Sequence, residues 1–225
     1  MKERRAKTEA EPSLRLDARR NLEKLKAAAL EVFQLHGLGT PLEEVAKHAG
    51  VSTGTLYNRF GSRDGLIDAV VPELAASKLA TVLERAGEGR DSWARFSAYL
   101  LQLCELQATN PVLNDILSGR FPEARQLAAV CEDSLKHARR LIKDAQRDGS
   151  LRTDFTGDDF FFVLWSNANV IRATASAAPD AWRRGLGLLI DGLRAHGAHK
   201  LPVGAASVSH ARQALLTAAS EARRK

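Results

Sequence analysis

Apolar residues recur at helical spacing along almost the whole chain, and no sustained alternation with a period of two indicates a strand. In the first such stretch, Leu22, Leu25, Ala29 and Val32 follow one another at intervals of three and four residues. Gly37 then ends the stretch, as glycine commonly does after a helix. The pattern predicts an all-α protein.

Glycine, proline and capping residues separate the remaining helices. About nine helices are predicted, and those after the first are expected at 41–49, 52–60, 62–83, 92–109, 111–118, 122–148, 157–177 and 179–196. Thr40, Pro41 and Glu43 form a start signal for the second helix, in which threonine is the N-cap and glutamate completes a capping box. Ser52 and Ser62 are expected to cap the third and fourth helices. Pro72 falls inside the fourth segment and is expected to kink it.

Changes in composition divide the chain into four parts. Residues 1–15 are charged and nearly free of large apolar side chains, so we expect a basic flexible tail. The helices of residues 16–65 and 66–197 are predicted to form two successive domains. Residues 198–225 begin rich in glycine, alanine and proline and are expected to form a linker and a C-terminal tail.

The excess positive charge lies at the two ends of the chain. The protein has 225 residues and a formal net charge of +6, divided as +4 in residues 1–63, −2 in residues 64–196 and +4 in residues 197–225. Basic ends suit a polyanion such as DNA, although a net charge of +4 is mild and solvated surface charge is the more usual explanation. No apolar run approaches the ~20 residues of a membrane span. The two cysteines lack the spacing of a disulfide framework or a zinc site, so we expect a cytoplasmic protein with no membrane contact, metal or cofactor.

Residues 41–60 have the arrangement of a helix-turn-helix unit. The turn between the two predicted helices is only Gly50 and Val51, and helices this short need a partner to pack against. In the second of them, only Leu56 and Phe60 need face inward. The other side chains are small, hydroxylated or able to hydrogen-bond, which suits the phosphates and base edges of a DNA major groove. An ordinary solvated helix is the alternative.

A series of motifs runs through this region in register. A helix ends in F-x-x-x-G, from Phe33 to Gly37, and the run TPLEEVAKHAGVSTGTLYNRFGSRDGL follows at 40–66. That run contains T-x-x-x-(V/I)-A-x-x-A-G-V-S, then G-T-x-Y-x-x-F and S-(K/R)-(D/E)-x-L. Residues 19–70 therefore resemble the DNA-binding domain of the tetracycline-repressor (TetR) family of bacterial regulators.

The resemblance implies that the third helix enters the major groove of double-stranded DNA. It assigns Tyr57 to a phosphate, and Thr40 to a phosphate at the start of the second helix. Gly61 stands where the family often has a lysine, and Arg63 is expected to supply charge nearby. The predicted DNA-binding residues are Thr40, Ser52, Thr53, Gly54, Thr55, Tyr57, Asn58, Arg59 and Arg63.

The resemblance also implies a larger C-terminal helical domain that binds a small ligand and forms a homodimer through its last two helices. Segments 157–177 and 179–196 are apolar on more than one side, as expected for a second buried face, although deeply buried core helices are the alternative. A pocket of this kind is mostly apolar, so we expect an apolar or aromatic effector. The predicted ligand-binding residues are Trp93, Phe96, Leu100, Leu103, Gln107, Trp165 and Asn169.

The predicted function is a ligand-responsive, homodimeric transcription regulator in the bacterial cytoplasm. The simplest form is a repressor that binds a palindromic operator and is released by its effector. An enzyme is not expected, because the chain lacks G-x-S-x-G, H-E-x-x-H and glycine-rich phosphate loops. Asp158 and Asp159 look like acids at a helix N-terminus rather than a catalytic pair. A ligand-binding protein without DNA binding, an activator and a repressor without a ligand remain open alternatives.

Overall fold

The computed structural model describes residues 2–119 and 124–205, with side chains from Arg19 onward. Ten α-helices lie in these residues: α1 Lys2–His36, α2 Leu42–His48, α3 Thr53–Phe60, α4 Arg63–Val70, α5 Pro72–Gly87, α6 Ser92–Thr109, α7 Pro111–Leu117, α8 Arg125–Arg147, α9 Gly157–Thr174 and α10 Ala181–Gly192. Within the same residues the β pairing is limited to one isolated antiparallel bridge between Leu151 and Arg194. The predicted all-α class is confirmed, with one helix more than expected.

Pro72 separates two helices instead of kinking one. α4 ends at Val70, and Pro72 is the first residue of α5. Proline has no backbone N–H to donate inside a helix but is well tolerated at the first helical position. The fully buried Val71 joins the two helices. The prediction of one kinked helix over 62–83 was therefore wrong.

Two predictions near the start of the chain were also wrong. Residues 2–15 belong to α1, where a flexible tail was expected; they are rich in Ala, Glu, Lys and Arg, which favour helix. Thr40 does not cap α2, because its hydroxyl donates to the Gly37 carbonyl at 2.8 Å and the N-cap is Pro41, without a side-chain bond. At the other end, residues 206–225 of the predicted tail lie outside the described residues.

The N-terminal core joins the first four helices to part of the C-terminal region. Phe33 and Ala29 of α1 are fully buried and pack with Val45 of α2 and Leu56 of α3. Leu113 of α7 belongs to the same cluster, as does the start of α8. α1 and α4, which flank the helix-turn-helix unit, therefore pack directly against α7 and α8 respectively.

The C-terminal core is built around α6. Phe96 of α6 makes an edge contact with Phe155 at 5.8 Å between ring centroids, and Tyr99 stacks on Phe160 of α9 at 6.1 Å. Trp182 attaches α10 to the same cluster. None of the described helices combines the length and the apolar character that crossing a membrane requires.

Candidate DNA-binding surface and ligand cavity

α3 is held at both ends and anchored by one apolar side chain. The Ser52 hydroxyl accepts a hydrogen bond from the Thr55 backbone N–H at 3.1 Å, as predicted for an N-cap. The Gly61 N–H donates to the Tyr57 carbonyl at 2.8 Å, and Gly61 has a φ of +75°, which favours glycine. Leu56 is only 1% exposed. These contacts fix which face of α3 points outward.

The outward face of α3 carries most of the predicted DNA-binding residues. Ser52, Gly54, Thr55, Tyr57, Asn58 and Arg59 are exposed, and Thr53 is half-buried. Half of the Tyr57 side chain is accessible, at 50%. The sequence of α3 contains no acidic residue, so no carboxylate on the helix opposes a polyanion. Seven of the nine predicted residues thus lie in α3 or directly before it, and six of them are exposed.

The other two predicted residues, Thr40 and Arg63, hold the turn between α1 and α2. Thr40 is buried, with its hydroxyl bonded to the Gly37 carbonyl. The Arg63 guanidinium donates to the Leu38 carbonyl at 2.9 Å and to the Thr40 carbonyl at 2.6 Å. These bonds set the position of α2 relative to α4. A DNA contact by either residue remains a prediction, whereas their role in positioning is visible.

A cavity of about 470 Å³ lies among α7, α8 and α9. Cavities that hold small ligands commonly measure roughly 300–1,000 Å³. Most of its wall is apolar, and the lining residues are Ile116, Leu117, Gly119, Leu127, Ala128, Ala129, Cys131, Glu132, Ser134, Leu135, Arg139, Phe160, Phe161 and Leu164.

The few polar groups at this cavity come from α8, and each has a partner. The Arg139 guanidinium pairs with the Glu132 carboxylate at 3.0 Å. A Cβ at Gly157 would lie 2.9 Å from Cγ of Arg139, so glycine leaves room for the arginine stem. The Ser134 hydroxyl lies 2.8 Å from the Tyr99 hydroxyl, and burial raises the pKa of Tyr99. The cavity therefore suits a mainly apolar molecule with few polar atoms.

None of the seven predicted ligand-binding residues lines this cavity. Those of α6 are core residues: Phe96, Leu100 and Leu103 are fully buried. The Gln107 amide donates to the Leu164 carbonyl and accepts from the Asn167 amide, both at 3.0 Å. The prediction placed the ligand on the most regular aromatic stripe, and that stripe packs the protein interior because α6 is surrounded by other helices.

The remaining three of the seven have other partners. Trp93 lies under the Arg194 guanidinium, 3.9 Å from the ring centroid. Trp165 is half-buried, while Asn169 is exposed and its amide donates to the Trp165 carbonyl at 2.8 Å. Helical spacing places Trp165 and Asn169 on the outward side of α9. The residues of α8 that line the cavity give no conspicuous pattern in the sequence, because several of them are small, such as Ala128.

An exposed apolar surface lies on α9 and α10. Val170 is 40% exposed and Leu188 is 65% exposed. A Cβ added at Gly185 or Gly192 would meet no atom within 4 Å, so these glycines face open space. The two predicted dimerisation segments therefore leave apolar and small residues uncovered in a single protomer.

α3 is a short exposed helix within a helix-turn-helix, and the chain continues into a larger helical unit that contains an apolar cavity. This arrangement is typical of a transcription regulator rather than of an enzyme. Residues 25–70 match the bacterial regulatory proteins of the tetR family. Residues 91–195 match the C-terminal domain of SbtR-like transcriptional regulators. The two matches together span about two thirds of the chain, and the protein belongs to the TetR family. The matched families consist of transcriptional regulators, which are not enzymes.

Individual relatives agree with this assignment. The HTH-type transcriptional regulatory protein RaaS of Mycobacterium tuberculosis is 24% identical over 133 residues, which is 57% of this chain and 58% of that protein. The match thus spans little more than half the length of this relative.

Two solved structures share the fold. The transcriptional regulator FadR from Bacillus subtilis, in complex with stearoyl-CoA, is 15% identical with a TM-score of 0.57, covering 76% of this chain and 99% of FadR. RolR in complex with resorcinol is 16% identical with a TM-score of 0.55, covering 89% of this chain and 95% of RolR. At these identities the likeness concerns the fold alone.

Proposed function

We propose that this protein is a ligand-responsive DNA-binding transcription regulator, in its simplest form a homodimeric repressor of a palindromic operator. The observation that carries the proposal is α3, which buries Leu56 and presents Thr55, Tyr57, Asn58 and Arg59 to solvent. An α-helix of this kind fits a major groove about 12 Å wide. In this function Tyr57 binds a phosphate, whereas Asn58 and Arg59 contact base edges or phosphates.

Dimerisation is supported by the uncovered apolar surface of α9 and α10. The exposed Leu188 and the outward glycines of α10 allow another helix to approach closely. A two-fold axis through this surface would present two copies of α3 to successive half-sites about 34–36 Å apart on one side of the duplex. The proposed contact uses segments 157–177 and 179–196.

Release by a small molecule is supported by the cavity among α7, α8 and α9. Its wall includes Phe160 and Phe161, and its volume is about 470 Å³. We infer an apolar or aromatic effector that binds one conformer better than the other. The effector shifts operator binding only through that difference in affinity.

The test is the selection of bound duplexes from a random library by the purified protein, repeated over a series of salt concentrations. We expect a palindromic site whose affinity falls steeply with salt, because phosphate contacts release counterions. Arg59→Ala should weaken binding to that site. Arg90→Ala is the matched control, since it removes the same charge from a side chain that is 92% exposed and lies outside the helix-turn-helix. Equal, weak binding to all duplexes, or equal losses in both variants, would contradict the proposal.

A further inference from the structure

A carboxylate on α7 reaches into the DNA-binding unit. Asp115 is buried, and its Oδ2 accepts a hydrogen bond from the Leu38 backbone N–H at 2.9 Å. Leu38 lies in the turn between α1 and α2, and its carbonyl accepts from Arg63 of α4. The backbone of Leu38 is thus hydrogen-bonded to side chains of both α7 and α4.

A second carboxylate connects the same two parts of the protein, but here the carboxylate lies on the DNA-binding side and the backbone donors lie in the C-terminal region. Asp68 of α4 accepts hydrogen bonds from the backbone N–H groups of Gln126 at 3.1 Å and Leu127 at 3.0 Å. These are the second and third residues of α8, whose N-cap, Ala124, makes no side-chain hydrogen bond. Asp68 therefore supplies the acceptor that the first turn of α8 would otherwise lack, and a negative charge is favourable at that helix end.

Both connections end at the wall of the cavity. Leu127 lines it directly, while Ile116 and Leu117 line it immediately after Asp115. A molecule that fills the space between α7 and α8 must displace one or both of these helices if it is larger than the space available. Because packed helices move as rigid bodies, such a displacement is carried to the two hydrogen-bonded contacts.

We propose that Asp68 and Asp115 are the positioning residues that carry a change in the cavity to the DNA-binding helices. Asp68 connects α4, which directly follows α3, to the start of α8. Asp115 ties the turn before α2 to α7. Displacement of α7 relative to α8 alters both hydrogen-bonded connections and so changes the orientation of α3. This inference rests on the proposed function, because it assigns the regulation of the same site.

The cavity can be filled without knowing the effector, through Cys131 in its wall. The probe is monobromobimane, whose bromomethyl carbon is attacked by a thiolate with loss of bromide, so that a bicyclic group becomes attached to the sulfur. The chain's other cysteine, Cys104, is fully buried, and burial raises the pKa of its thiol, so it is a poor nucleophile. Cys131→Ser, treated with the same reagent, reports any effect of modification elsewhere.

The experiment measures the affinity for the selected operator before and after modification, in the wild-type protein and in Asp68→Ala and Asp115→Ala, which each remove the accepting carboxylate. Asp91→Ala is the matched control, because Asp91 caps α6 through the Ala94 N–H at 2.7 Å and that helix makes no such tie to α4. We expect modification to weaken operator binding by about tenfold or more in the wild type and in Asp91→Ala, within the usual range of allosteric coupling. In Asp68→Ala and Asp115→Ala the factor should fall to about twofold or less.

Hydrogen exchange at the Leu38, Gln126 and Leu127 amides gives a readout that needs no DNA. We expect modification to reduce the protection of these amides in the wild type. Equal coupling in all variants, or no effect of modification on operator affinity in the wild type, would overturn the assignment and leave DNA binding intact. If the unmodified protein binds no operator, the proposed function fails. Hydrogen exchange then decides the coupling by itself, and unchanged protection overturns it.

Discussion

Gly37, at the end of the F-x-x-x-G motif, gives the sharpest prediction for stability. It has a φ of +84°, and a Cβ placed on it would lie 2.9 Å from Oδ2 of Asp115. Gly50 has a φ of +68°, with no atom within 4 Å of such a Cβ. The two alanine substitutions therefore share one unfavourable effect, the left-handed backbone, and differ in the second, the displacement of a carboxylate.

The expected magnitudes follow from these two geometries. A left-handed conformation costs an L-residue about 1–2 kcal/mol, so Gly50→Ala should destabilise by about that amount. Gly37→Ala should lose in addition much of the hydrogen bond from the Leu38 N–H to Asp115, and bonds to charged groups are worth about 1.5–3 kcal/mol. We expect a total of about 3–5 kcal/mol for Gly37→Ala.

The assay is urea unfolding followed by circular dichroism at one protein concentration, with linear extrapolation to water. Asp115→Ala and the double variant Gly37→Ala with Asp115→Ala complete a mutant cycle. Once the carboxylate is gone, the new methyl has room, so the double variant should lose less than the sum of the two single losses. Equal destabilisation by Gly37→Ala and Gly50→Ala, or additive losses in the cycle, would refute this reasoning.

Four further predictions concern the dimer, the core, the DNA-binding helix and pH. Leu188→Glu should turn the dimer into a monomer with about 0.5 kcal/mol or less lost from folding, since this residue is 65% exposed; an unchanged mass in sedimentation velocity would speak against the contact. Gln107→Ala should destabilise by about 1–3 kcal/mol or more in urea, because it leaves the Asn167 amide without its acceptor, whereas leucine at both positions should restore part of the loss. Tyr57→Phe should weaken binding to every duplex by a similar factor without changing the salt slope, because a neutral hydroxyl releases no counterion; a change confined to one sequence would indicate a base contact instead. Burial raises the pKa of Tyr99, so the folded state holds the phenol proton more tightly than the unfolded chain does. The free energy of unfolding should therefore fall as pH rises above about 10, the ordinary pKa of tyrosine. In Tyr99→Phe this part of the alkaline loss of stability should disappear from unfolding curves.

Local signals in the sequence were reliable where neighbouring residues act on one another. Ser52 and Ser62 were expected to cap α3 and α4, and their hydroxyls accept hydrogen bonds from Thr55 at 3.1 Å and Gly65 at 3.0 Å. Capping joins residues three apart in the chain, so it follows from local sequence. At Thr40 the same kind of signal failed, because the buried hydroxyl donates back to Gly37 instead of accepting from α2.

The position of the cavity could not be predicted from the sequence, because it depends on residues that are distant along the chain. An aromatic stripe at helical spacing indicates that one face of the helix is buried. It does not indicate whether that face packs against other side chains or lines a cavity. On α6 the stripe of Phe96 and Leu100 meets other side chains. The cavity forms where small residues of α8, such as Ala128 and Cys131, leave space beside α9.

The sequence by itself determined the helical class, the helix-turn-helix and the residues that α3 exposes, since periodicity, caps and short turns depend on neighbours along the chain. Only the tertiary structure decided where the cavity lies and how it is joined to the DNA-binding helices. The hydrogen bonds from the Leu38 N–H to Asp115 and from the Leu127 N–H to Asp68 connect residues 77 and 59 positions apart. Contacts of that range depend on how the helices pack, because no local pattern specifies which distant amide a carboxylate will meet.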